Sequence, residues 1–223
     1  MLPADAGAPA GPVAADLRFK LVPSAPSYLA KVTQIDGSGL STTASSFASQ
    51  GFVITTATTN TAGYTVWGWK PLSGTAMFGA KVMQIDGSGL STTASSFASQ
   101  GFVITAATTN TAGYTVWGFK SGSAAETYQA KVMQIAGSGL STTASEFGVQ
   151  GFVITAATTN TAGYTVWGFK SASSAEVYQA KVMQIDGSGL STTATTLASQ
   201  GFVVTTATTN TAGYTIWAFK RSP

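Results

Sequence analysis

AKVMQIDGSGLSTTASSFASQGFVITAATTNTAGYTVWGFK, residues 80–120, decides the fold, because the chain repeats it. The same 41 positions recur from Ala30 to Lys70, Ala130 to Lys170 and Ala180 to Lys220, in a 50-residue frame that no insertion or deletion breaks. Nine-residue linkers, PLSGTAMFG, SGSAAETYQ and SASSAEVYQ, separate the copies. A fixed period of this size marks a repeat architecture, in which each unit buries its apolar face against its neighbours. The 223 residues thus divide into repeats at 30–79, 80–129, 130–179 and 180–223. An Ala/Pro/Gly-rich stretch at 1–16 precedes them and reads as an extended arm. In residues 17–29, Phe19-Lys20 stands nine residues before Tyr28, as Phe119-Lys120 stands nine before Tyr128. Leu17 to Leu21 therefore reads as an extra copy of the unit's closing strand, able to cover an open sheet edge in this chain or in a neighbour.

Within the unit, AKVMQI is apolar and β-prone and predicts a strand. Asp36-Gly37-Ser38-Gly39 breaks it. In LSTTASSFASQG, Leu40, Ala44, Phe47 and Ala48 fall on one helical face. Ser41 is the candidate N-terminal cap and Gly51 the candidate left-handed C-terminal cap. Ser and Thr are weak helix formers, so this helix needs tertiary packing, and a Ser/Thr-rich loop is the competing reading. GFVITTATT predicts a second strand, Asn60 to Gly63 a turn, and YTVWGWK a third strand in a hairpin with the second. Tyr64 and Val66 load one face of that strand, Trp67 and Trp69 the other, so the sheet should be covered on both sides. The fold class is α+β: four tandem β-α-β-β repeats with mainly antiparallel sheets and one short helix each. The alternative is an all-β repeat such as a four-bladed propeller.

Phe47, Gln50, Gly51, Phe52 and Val53, followed by Tyr64 and Val66 and by Phe119 and Lys120 in their copy, form a pattern. It resembles the units of the bacterial domain-of-unknown-function family 4177, and the final TIWAFKRSP carries the resemblance furthest. The resemblance implies a strand, a short helix ending in Gly-aromatic, a strand and an aromatic closing strand. It implies no catalytic residues.

Charged residues make up only 9 % of the chain, so Thr, Ser, Asn, Gln and Gly must cover the surface. Such a neutral surface suits tight assemblies and fibres. The net charge of +3 reflects few acids, and no basic run exists, so no nucleic-acid partner is expected. Cysteine and histidine are absent, which excludes disulfides, thiolate chemistry, the usual zinc sites and Ser-His-Asp catalysis. The N-terminus lacks the basic and apolar regions of a secretory signal, and no stretch approaches the roughly 20 apolar residues of a membrane span. The Asp-Gly-Ser-Gly turn offers one carboxylate where calcium needs several, and lacks the rest of a nucleotide-binding loop. Its Asp and Gly read as turn residues. That Asp recurs in three copies, with Ala136 in the other, and Glu146 stands in one unit alone. Positioned acid–base pairs are therefore missing, so no enzyme, cofactor or metal is expected.

The candidate interaction residues are the recurring Tyr, Trp and Asn of the hairpin: Asn60, Tyr64 and Trp67; Asn110, Tyr114 and Trp117; Asn160, Tyr164 and Trp167; Asn210, Tyr214 and Trp217. Aromatic faces can stack on sugars while amides bond their hydroxyls. The bland reading is core tryptophan and turn asparagine. One TTATTNT run per 50 residues is too sparse for a Thr-ranked ice-binding face. Among the differences between copies, Leu197 for Phe47 and Val204 for Ile54 read as core swaps. Ala218 for Gly68 reads as evidence that no glycine is obligatory there. These features predict a non-catalytic structural or assembly repeat protein whose partners are other protein subunits, its own copies or virion and fibre proteins. A bacteriophage virion component (decoration, fibre or tail accessory) fits, in a virion or extracellular assembly. The alternative is a multivalent glycan-binding module.

Overall fold

A computed structural model describes residues 28–71, 77–122, 126–210 and 213–222. The arm and the extra closing strand expected before Tyr28 lie outside the described residues. Unit 1 comprises β1 (Tyr28–Ile35), α1 (Leu40–Ser49), β2 (Val53–Asn60) and β3 (Gly63–Pro71). Unit 2 comprises β4 (Phe78–Ile85), α2 (Leu90–Ser99), β5 (Val103–Asn110) and β6 (Gly113–Ser121). Unit 3 comprises β7 (Tyr128–Ile135), α3 (Leu140–Val149), β8 (Val153–Asn160) and β9 (Gly163–Ser171). Unit 4 comprises β10 (Tyr178–Ile185), α4 (Leu190–Ser199), β11 (Val203–Asn210) and β12 (Gly213–Arg221). Each unit is thus β-α-β-β, and the helices set aside the all-β alternative. Every unit's strands form one open antiparallel sheet with the third strand in the centre, as in the order β1-β3-β2. The first strands start two residues earlier than the repeat frame suggested, at Tyr28, Phe78, Tyr128 and Tyr178.

The helix forms where its apolar spacing places it, but its start differs from expectation. Gly39 is the N-cap residue and makes no side-chain cap; Ser41 already lies inside the helix. Asp36 does the polar work instead. Its Oδ1 accepts hydrogen bonds from the Ser38 and Gly39 amides at 3.0 and 3.2 Å and from Ser38 Oγ at 2.6 Å. These bonds hold the Asp36 carboxyl below its ordinary value, the Ser38 hydroxyl contributing most. Unit 3 keeps the turn without that carboxylate, through the Gly139 amide donating to the Ala136 carbonyl.

At the other end Gly51 has φ 78°, the left-handed conformation expected of it. The Gly51 amide donates to Ala48 O and the Phe52 amide to Phe47 O, a pair of bonds that closes the helix as a Schellman motif. The accompanying apolar contact is Phe47 against Phe52, edge to face at 6.0 Å. Both lysines of the unit converge on this terminus. Lys31 Nζ donates to Gln50 Oε1 and lies 4.7 Å from the Phe47 ring centre; Lys70 Nζ donates to the Gln50 carbonyl and lies 4.8 Å from the Phe52 ring. Cations placed here complement the helix dipole and the ring faces. The recurring positive charge is thereby engaged in ending a Ser/Thr-rich helix.

The hairpin closes on Asn60↔Gly63, and Gly63 has φ 129°. A Cβ there would stand 2.2 Å from the Ile35 carbonyl, so the turn and the end of β1 both require glycine. A second requirement overturns the reading of Gly68 as dispensable. A Cβ on Gly68 would meet the Phe47 ring at 2.5 Å, and on Gly168 the Phe147 ring at 2.4 Å. Unit 4 carries Ala218 because its helix carries Leu197, so the two differences noted separately in the sequence are one packing exchange.

Candidate functional site

Each sheet has a back face, which carries its own helix, and a front face. The helix itself serves two layers. Leu197 is buried against Phe202, Ile216 and Ala218 of its own unit. Leu40, Ala44 and Ala48 point away from that sheet and are buried because α1 packs on β4 of the next unit; α2 packs likewise on β7, and α3 on β10. Gly148 marks the closeness of this layer, since a Cβ there would lie 2.3 Å from the Tyr178 carbonyl in the next unit. Helix and sheet layers therefore alternate along the array, and the front face of one unit closes the back of the one before.

Six of the eight aromatic residues singled out in the sequence lie in these joints. The Tyr64 ring meets the Trp117 ring edge to face at 5.6 Å, and the same pairing joins Tyr114 to Trp167 and Tyr164 to Trp217. Tyr64 OH accepts from Asn110 Nδ2 at 2.9 Å and Gln84 Nε2 at 3.3 Å, and hydrogen-bonds Thr115 Oγ1 at 3.0 Å. Burial pushes the Tyr64 hydroxyl up, but these three bonds outweigh it and hold it below its ordinary value. Tyr114 repeats the set with Asn160, Gln134 and Thr165. Tyr164 bonds Thr215 and Gln184. The asparagines have a second duty in the turn, where Asn110 Oδ1 accepts from the Ala112 amide and Asn160 Oδ1 from the Ala162 amide. The side chains of Asn60 and Asn210 lie outside the described ones.

Trp117, Trp167 and Trp217 are fully buried, so none of them presents a face to a sugar ring. Trp67 of unit 1 is half-buried and Trp69 is 41 % exposed. At the other end Tyr214 is half-buried, and its hydroxyl has no hydrogen-bond partner among the described residues.

Sequence reading missed a further element of the joint. Each second strand has a β-bulge, between Ile54 and Thr56 in unit 1, that disturbs its ladder with the third strand. Thr105 Oγ1 donates across the joint to the Ile54 carbonyl at 2.5 Å, Thr155 to Ile104 and Thr205 to Ile154 at 2.6 Å. The invariance of this Thr in all four copies was the available signal, but it is lost among the many other threonines. Further along, Thr59 Oγ1 donates to the Thr109 carbonyl and Thr159 Oγ1 to the Thr209 carbonyl. The four second strands together line a cavity of about 390 Å³, walled by Thr and Ala of every unit and by Tyr214. Thr108, Thr158 and Thr208 on its wall have buried hydroxyls without a partner among the described residues. Among the described residues the lining holds no carboxylate or amine.

Among the described residues no group of three or more acidic, His or Cys side chains gathers, and no helix is long and apolar enough to cross a membrane. No protein-family model matches the chain, and neither the curated proteins nor the solved structures searched contain a match.

Proposed function

We propose that the chain is a non-catalytic structural protein, built to join other protein subunits in an assembly such as a virion or fibre. One observation carries the reading: six of the recurring aromatic side chains are engaged in unit-to-unit joints, and among the described residues the joint surfaces at the two ends of the array are left open. Terminal units of soluble repeat arrays ordinarily carry a polar outer face. Here unit 1 presents Val32 and Trp69, and unit 4 presents Leu190 and Val204. Apolar ends on a neutral body suit an assembling component. Tagging the chain in its source and fractionating on a density gradient tests this. It should sediment with particles or filaments visible by electron microscopy, and recovery solely as free protein would count against the reading.

Glycan binding is the second reading, supported by the side-by-side exposure of Trp67 and Trp69 on unit 1. With Trp117, Trp167 and Trp217 buried, it reduces to one platform per chain. A broad glycan array with no signal would remove it.

A further inference from the structure

The two ends of the array are the two halves of a joint that the chain makes three times within itself. The receiving half is the front face, which in unit 1 comprises Ala30, Val32 and Gln34 of β1, Thr55 of β2, and Trp67 and Trp69 of β3. Val32 there is 54 % exposed. The other half is the back of unit 4: Leu190, Ala194 and Ala198 of α4, the Val204 carbonyl and Tyr214. Leu190 is 38 % exposed, whereas Leu40, Leu90 and Leu140, each covered by a following unit, are 6 % or less. Ala194 and Ala198 are exposed, whereas Ala44, Ala94 and Ala144 are sealed.

We infer that a second copy of this chain docks the front of its unit 1 on the back of unit 4, repeating the internal joint end to end. This deepens the assembly reading and rests on it. Continuity with the internal joints selects the partner. Tyr214 and Thr65 stand where Tyr164 and Thr215 bond, Gln34 where Gln184 reaches Tyr164, and Thr55 where Thr205 takes the Ile154 carbonyl. Trp67 stands where Trp217 meets Tyr164 edge to face. Thr56 replaces the Ala106 and Ala156 of units 2 and 3, but unit 4 has Thr206 there within a completed joint, so threonine fits. Trp69 in place of Phe is the one larger side chain on the face. None of the named residues is charged, so no repulsion opposes contact. Within one chain, β1 has no substantial packing partner besides β3 among the described residues, so unit 4 does not already fill the place. Such a joint is heterologous. Each addition leaves one front and one back open, and growth continues unless a ring closes.

The test is sedimentation velocity of the full chain over a hundredfold concentration range, beside Val32→Asp and Ala194→Asp. Both positions are exposed, so each variant should match the parent in circular dichroism and melting midpoint, measured at low concentration. The parent should grow beyond a dimer. Each variant should need about 100-fold more protein to associate, because its carboxylate would be buried unpaired. An equimolar mixture of the two should stop at a 1:1 dimer, since one intact front meets one intact back. A parent that stays monomeric overturns the inference, as does association that survives Val32→Asp. Association that appears only after residues 1–27 are removed assigns the front face to that segment and overturns it equally. A monomeric parent that still sediments with particles would sink the joint and spare the assembly reading. Self-association of a chain recovered only as free protein would do the reverse.

Discussion

Trp67 and Trp167 stand at the same position in nearly the same sequence, on the same strand of the same three-stranded sheet. Trp167 is sealed under Tyr114 of the preceding unit, while Trp67, with no described unit before it, is half open. The helices show the mirror image: Ala144 of unit 3 is buried under β10, and Ala194 of unit 4 is exposed. Burial in this molecule therefore belongs to the joint rather than to the residue. A unit alone leaves one face of its sheet and one stripe of its helix wet, so stability must accumulate as neighbours are added.

Truncation of the two tryptophans is the strongest way to break that contrast. Trp167→Ala should cost about 3–5 kcal/mol, the usual range for emptying a filled aromatic site. Trp67→Ala should cost well under half of that, measured by urea unfolding at low protein concentration where end-to-end contact is absent. Equal losses would mean that unit 1 is covered in solution. Next in size is the exchange between interior and terminal cores. Gly168→Ala forces a methyl to within 2.4 Å of the Phe147 ring and should destabilise by about 1–3 kcal/mol. Adding Phe147→Leu reproduces the Leu197 and Ala218 pair of unit 4 and should recover part of the loss, a coupling of about 1 kcal/mol or more in a double-mutant cycle. Strict additivity would disprove the packing account.

Tyr114→Phe and Tyr214→Phe form a smaller and cleaner pair. The first removes a hydroxyl that serves Thr165, Asn160 and Gln134 inside a joint, and should cost about 1–2 kcal/mol. The second removes a hydroxyl with no partner among the described residues and should leave the unfolding midpoint unchanged in dilute protein. At concentrations where chains associate, Tyr214→Phe should begin to matter, which sharpens the comparison between an open end and a closed joint.

The unit itself was legible in the sequence because its signals are local. Leu40, Ala44, Phe47 and Ala48 give the helix its period, Gly51 its end, and Asn60 to Gly63 the hairpin. Two-sided loading of the third strand required a cover on each face, which units 2 to 4 have and the front of unit 1 lacks among the described residues. The joint was not legible, because it depends on which copy follows which. Tyr64 reads as a candidate ligand-binding residue until the next unit supplies Thr115, Asn110 and Gln84. Ser41 reads as the cap because the spacing to Leu40 is ambiguous by one residue, whereas Asp36, whose carboxylate bonds the Ser38 and Gly39 amides of the turn leading into the helix, lies further upstream. Gly68 looked dispensable because its clash is with a ring 21 positions away, on another element.

The smallest contrast lies in that upstream turn, and unit 3 provides its natural control. Asp36, Asp86 and Asp186 are held below their ordinary value, chiefly by the hydroxyls of Ser38, Ser88 and Ser188, while Ala136 has nothing to titrate. A carboxylate depressed in the folded state stabilises fully above its unfolded value, about 3.9. That contribution is lost as pH falls through the lower folded values. Between pH 5 and pH 2.5 the urea midpoint should therefore fall, and replacing all three with Asn, which keeps an oxygen acceptor but does not titrate, should make the fall shallower. Restoring a carboxylate in unit 3 with Ala136→Asp should steepen it. The groups are fully exposed, so each shift will be slight. Parent and triple variant losing stability in parallel would place the acid sensitivity outside this turn.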